Sequence, residues 1–307
     1  MRTGARGAVW LTLILGAFGH PHVAAAQTAP VPGSPSAAAS AAPLPTDSSR
    51  PWEIEDNSFF VEEAFNQDAG VVQTIYGGAF NSSGWLMTFT QEWPAPGLKH
   101  QLSYAIPVTD INEPPGTPDV DGVGDIALNY RYQLLEEGPG RPAISPRLTV
   151  LCPTGDAGRG LGVGAWGWQT NLPVSKQVRD FYFHGNAGLT WYPRVRTDSG
   201  TAGVSAPDVA LTSPFLAAST IYRLRPMLNV MLESVVTWQA AVDGPGHASH
   251  NTLTLVSPGM RTGWNRGETQ IVVGVAAPIT WAAGRSNVGV FAYFSYEARF
   301  WGVKESK

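Results

Sequence analysis

Cysteine is nearly absent from these 307 residues. Cys152 stands alone, so no disulfide framework is available, and its position far from the N-terminus excludes a lipid-modified cysteine anchor there. Charge is also sparse: Asp, Glu, Lys and Arg make up 14% of the chain and the formal net charge is -4, which offers nothing to a nucleic-acid partner. After the first residues, no charge-free and proline-free apolar run approaches the roughly 20 residues that a membrane-crossing helix needs. Phosphate-loop chemistry is missing too, because the glycines of 160–164 lack the following helix and lysine. His247 and His250 have a metal-like spacing, but they lie in a Gly- and Pro-containing stretch without a third ligand. No cofactor is expected.

What is present begins with Arg2 and Arg6, an apolar run over 8–18 and the small residues Ala24, Ala25 and Ala26. That order predicts a secretory signal over 1–26. Residues 27–51 are dominated by Ala, Pro and Ser and cannot bury enough apolar surface to order themselves, so a disordered leader is expected. In 52–70, Asp56 or Asn57 can cap a short helix over 58–67 and Gly70 can end it. Phe59, Phe60 and Phe65 would need cover while Glu62 and Glu63 would need water, so this helix should dock on a larger body. It is either a plug or gate at one mouth of that body, or a helix packed under the first strands without a gating role.

The larger body declares itself in residues 123–135. Asp125, Ala127, Asn129, Arg131 and Gln133 fall on one side of a strand, and Ile126, Leu128, Tyr130, Tyr132 and Leu134 on the other. The same period of two recurs from Val71 onward, with turn signals every 10 to 20 residues, and twelve strands are expected over 71–301. Turns after even strands are brief: 94–97, 136–141, 177–178, 225–226 and 265–267. Connections after strands 3, 5, 7 and 9 are long: 110–122, 155–162, 194–214 and 239–251. Only 81–84 and 282–286 break the rule. Sorting loop length by strand parity suits a membrane barrel with short turns on one rim and long loops on the other. Trp85, Trp93, Trp191, Trp238, Trp264, Trp281 and Trp301 sit at or near strand ends, as aromatic girdles at two membrane boundaries would require. Open sheet edges are forbidden in hydrocarbon, so the strands must close. The expected fold is all-β: a closed antiparallel transmembrane β-barrel with a short N-terminal helix.

One stretch goes further. Gly122, Gly124 and Asp125 open a strand, a polar hairpin follows, and the next strand ends in Pro153, Thr154, Gly155 and Asp156 before the glycine-rich 160–164. Over about 45 residues this pattern resembles the outer-membrane proteins named for the meta-pathway of phenol degradation, a family of transporters. The resemblance implies passage of small solutes, hydrophobic or aromatic ones included. The chain departs from barrels that end on an aromatic residue read by the insertion machinery, since Phe300 and Trp301 are followed by the tail 302–307.

The polar face supplies the candidate lumen lining: Asp125, Arg131, Arg147, His184, Arg223, Glu233, Arg261, Glu297 and Arg299. These charges either neutralise one another inside a narrow lumen or form a selectivity lining in which the arginines favour anionic or polarisable solutes. His184 has no serine-centred motif beside it, so a hydrolase is not expected. The sequence therefore predicts a passive channel in the outer membrane of a Gram-negative bacterium, with both chain ends periplasmic. Its expected partners are membrane lipid, a small solute and the barrel-insertion machinery. The alternative is a non-conducting structural or surface-binding barrel.

Overall fold

The computed structural model describes residues 54, 58–112, 119–197, 206–267 and 269–299. The expected signal segment, leader and tail, along with Trp301, lie outside the described residues. Twelve antiparallel strands follow one another around a closed wall. They are β1 Val71–Asn81, β2 Gly84–Pro94, β3 His100–Ile111, β4 in two pieces (Val120–Val123 and Ile126–Tyr132), β5 Arg147–Cys152 and β6 Gly167–Val178. Next come β7 Phe181–Val195, β8 Val209–Arg225, β9 Leu228–Gly244 and β10 His247–Arg266. The last two are each interrupted: β11 is Thr269–Ala276 and Ile279–Ala282, and β12 is Arg285–Val288 and Val290–Arg299. Closure comes from β1 and β12, which pair from Val71 opposite Arg299 to Phe80 opposite Val290. A ring of this kind leaves no unpaired edge for hydrocarbon to face.

Side-chain alternation separates the two faces of the wall as expected. Leu128 is 49% exposed and Leu232 55%, whereas Asn129 and Arg131 on the intervening positions are buried inside. Phe181, Phe183, Leu189 and Trp191 point out, and Tyr182, His184, Asn186 and Thr190 point in. Outward-facing Trp168, Trp191, Trp238 and Trp281 lie toward the rim that carries the odd-numbered connections, here termed the loop rim. Trp93 and Trp264 lie toward the opposite rim, where both ends of the sheet also fall, here termed the turn rim. An apolar outer face bounded by indoles at two heights is the surface of a membrane-spanning barrel.

Three connections differ from expectation. Residues 239–251 are not a loop: β9 and β10 stay paired through Gln239 opposite Asn251 and Val242 opposite Ala248, and turn only at Pro245 and Gly246. This hairpin continues past Trp238 and Trp281, where the buried face turns from polar to apolar at Ala240 and Val242 and the polar-in alternation that marks the strands below is lost. Likewise β8 begins at Val209, inside the expected loop 194–214, with Leu211 buried in the apolar interior. The turn expected at 177–178 falls instead at Arg179 and Asp180, because Val178 still pairs with Phe181 and Arg179 takes the left-handed backbone, φ 57°.

Candidate functional site

The lumen is occupied by the chain itself. Ile54 donates its N–H to the Pro226 carbonyl at the turn rim, at 3.1 Å, beneath β8 and β9. Ser58 meets Ser219 on β8 (2.6 Å), and Val61 packs with Val235, Leu253 and Leu255. The segment then runs along the adjoining wall, where Glu62 N–H donates to Asn186 Oδ1 on β7 (2.8 Å) and Ala64 N–H to Ser175 Oγ on β6 (2.8 Å). Finally Gln67 N–H donates to Gln101 Oε1 on β3 (2.8 Å) before β1 begins.

Residues 58–67 contain no helix. A helix of two to three turns is marginal alone, and here the wall supplies what intrahelical bonds would have supplied. Oε1 of Glu233 alone accepts from three consecutive N–H groups, those of Phe59 (3.0 Å), Phe60 (2.8 Å) and Val61 (3.1 Å). Glu62 and Glu63 are not solvated as expected: both are buried, together with Phe59 and Phe65, and Phe60 is partly buried. The ring of Phe59 lies 5.4 Å from that of Phe291 and 5.1 Å from that of Tyr293.

Glu62 is the electrostatic centre of the segment. Its Oε1 stands 3.3 Å from Arg131 Nη1, and its Oε2 lies 3.2 Å from Arg147 Nη1 and accepts from Asn171 Nδ2 at 2.6 Å. Arg131 also holds the backbone, donating to the carbonyls of Glu63 (3.1 Å) and Phe65 and to Asn66 Oδ1 (3.0 Å). Gln133 and Ser145 both donate to the Ala64 carbonyl at 2.8 Å. Charges this deep are tolerated when they are paired and hydrogen-bonded.

The other candidate lining residues fall into three groups. Arg261 is buried against Asn229, whose amide oxygen, turned toward the guanidinium, accepts from Nη2 at 3.0 Å and Nε at 3.3 Å. Glu297 accepts from Gln73 Nε2 (3.0 Å) near the turn rim, Arg299 is exposed at the end of β12, and Arg223 pairs across the rim with Asp180 (3.7 Å) and lies over the Tyr182 ring. These three frame the mouth rather than line mid-lumen. Asp125 sits in the break of β4 and accepts from the N–H groups of Gly155 (2.9 Å) and Val163 (2.7 Å), so it fastens the glycine-rich connection over the loop rim.

Sequence reasoning paired His184 with no serine, yet the neighbouring strand brings Ser175 Oγ to 2.7 Å from His184 Nδ1. Both residues are buried in the lumen and Ser175 simultaneously receives Ala64 N–H, so the pair anchors residues 58–67 to the wall. Asn171, Asn186, Gln101 and Ser145 were missed as site residues; their inward strand parity was the available signal.

Toward the loop rim the interior becomes apolar. Leu151, Val163, Tyr192, Val195, Leu211, Ala240 and Val242 form a buried layer above the polar one. Of the connection that Asp125 holds, Val163 is buried in this layer and Leu161 is buried beside Ile111 and Val120.

No family model matches the chain, and no curated protein matches it. Among solved structures, an outer-membrane channel from Pseudomonas putida F1 aligns over 76% of this chain and 97% of that one, with 14% identity and a TM-score of 0.56. The NanC porin aligns over 73% and 98% (7% identity, TM-score 0.42), and the transport unit of the Escherichia coli autotransporter AIDA-I over 79% and 94% (10%, 0.43). The first likeness supports the fold of an outer-membrane barrel; the resemblance to the phenol-degradation proteins rests on the 122–164 motif alone.

Proposed function

We propose that this protein is an outer-membrane channel for small solutes, closed in the present state by residues 58–67. The observation that carries this reading is the way the lumen is filled. A barrel with a purely structural role has no need to thread an irregular segment through its axis, because wall side chains can meet one another directly. Here the segment is held through hydrogen bonds from its backbone to side chains of β3, β6, β7 and β9. Polar contacts of this kind exchange for water on release, and the wall they leave behind is hydrophilic. In this reading the loop rim faces the exterior, the turn rim and both chain ends face the periplasm, and solute passes beside residues 58–67. The 122–164 motif makes small aromatic compounds the first solutes to test.

A specific observation favours the second reading, a non-conducting barrel: the buried apolar layer around Tyr192 and Leu211 closes the lumen a second time. Planar-bilayer recording separates the two. Channel function predicts discrete conductance steps from purified protein, more frequent in Glu233→Leu than in the parent. Silence from both, with folded protein in each bilayer, would support the structural barrel instead.

A further inference from the structure

We infer that Arg131, Arg147 and Asn171 form a carboxylate-binding station on the lumen wall, occupied in the closed barrel by the chain's own Glu62, and that the transported solutes include small organic carboxylates competing for it. The solute half of this inference rests on the channel reading above; the binding half does not.

The station is a property of the wall. Arg131 on β4 is directly opposite Arg147 on β5, and Arg147 is directly opposite Asn171 on β6, so the three occupy one cross-strand row. Like charges directly opposite on neighbouring strands repel, and both arginines are buried away from bulk water, so they are screened poorly. The row therefore demands an anion in front of it. Glu62 meets the demand with both oxygens, Oε1 toward Arg131 and Oε2 toward Arg147 and Asn171. Arg147 is further oriented from behind by Gln169, whose Oε1 accepts from its Nη2 at 2.6 Å. Its Nε is buried without a hydrogen-bond partner among the described residues, so the row has donor capacity that Glu62 does not exhaust.

The shape of the row selects the ligand class. Donors reach two acceptor atoms of one planar group, which a carboxylate provides and chloride does not. Glu62 is carried on a segment without secondary structure, so its replacement by a free carboxylate is a side-chain exchange rather than the unfolding of an element. When the segment leaves, the row keeps its need for an anion, and the arriving solute supplies it.

The test uses the full chain with Glu62→Ala, which vacates the station, and propionate, which reproduces the missing group. Folded barrel is followed in detergent by its thermal unfolding. The substitution lowers the unfolding temperature, and propionate restores it at about one-tenth the concentration at which sodium chloride has any comparable effect, the ratio expected for one charge-assisted interaction. Adding Arg147→Gln abolishes the difference between the two salts. Glu62→Gln, which keeps the size of the side chain, serves if the alanine variant does not fold, and is read by propionate binding to the detergent-solubilised protein. Equal responses to propionate and chloride in the variant that folds would overturn the station, as would a propionate response that survives Arg147→Gln. In bilayers, Glu62→Ala that conducts without propionate selectivity leaves the channel standing and removes the inference. Selective propionate binding without any conductance keeps the station but removes transport.

Discussion

The space in front of Gly274 belongs to Phe59: a Cβ built on that glycine would stand 2.3 Å from Phe59 Cζ. Phe59 cannot simply retreat, because its ring is packed between those of Phe291 and Tyr293. Gly274→Ala is therefore expected to push residues 58–61 off the wall at a cost of about 1–3 kcal/mol, the usual range for overpacking. Limited proteolysis should then cut within 58–67 faster than in the parent, and conductance should rise. Unchanged cleavage and unchanged conductance would mean that the ring is not fixed where it is described.

Glu233 tests the polar half of the same attachment. Its Oε1 gathers three backbone N–H groups. Glu233→Gln keeps an oxygen at that point and loses the charge, while Glu233→Leu leaves the N–H groups buried with no acceptor. Each orphaned donor costs about 1–3 kcal/mol, so thermal stability should fall in the order parent, Gln, Leu. Channel opening should rise in the same order. Identical behaviour of the two variants would show that the three hydrogen bonds do not hold the segment.

At the other end of the lumen, Asp125 fixes the connection that carries the buried Leu161 and Val163. Asp125→Ala removes the acceptor of both N–H groups and should release residues 155–163 to protease while leaving 58–67 protected. Asp125→Asn retains one oxygen and should fall between the parent and the alanine variant. Simultaneous loss of protection at both segments would contradict the view that the lumen is closed by two independent layers.

How much of this was legible beforehand depended on what each residue faces. Within the membrane a strand position has only two environments, so the placement of Leu128 outside and Arg131 inside followed from spacing alone. Once β9 and β10 rise past Trp238 and Trp281, the buried face carries Ala240 and Val242 instead of polar residues, the polar-in alternation disappears, and paired strand looks like loop. Residues 58–67 failed for a different reason. Their spacing suits a helix, but the acceptors that hold their N–H groups, among them Ser175, Asn186 and Glu233, lie more than a hundred residues away, and no local pattern encodes that. Arg131 and Arg147 could be placed on one face from the sequence. That the anion between them would be Glu62 could not.

The protruding hairpin gives a direct test of orientation, because its tip and the connection 133–142 lie at opposite rims. Pro245 and Pro139 are both exposed, and the native Cys152 can be replaced by serine to give a background free of thiols, since it is the only cysteine. Pro245→Cys in that background should react with a membrane-impermeant maleimide on intact cells, whereas Pro139→Cys should react only after the outer membrane is breached. A hairpin built of paired strand also keeps its backbone hydrogen bonds in water, so amide exchange over 240–250 should be slower than in a disordered loop of the same length. Labelling of Pro139→Cys from outside would reverse the barrel in the membrane. Residues 58–67 would then close its outer mouth instead of its inner one, and solutes would meet the Glu62 latch before the apolar layer around Tyr192 rather than after it.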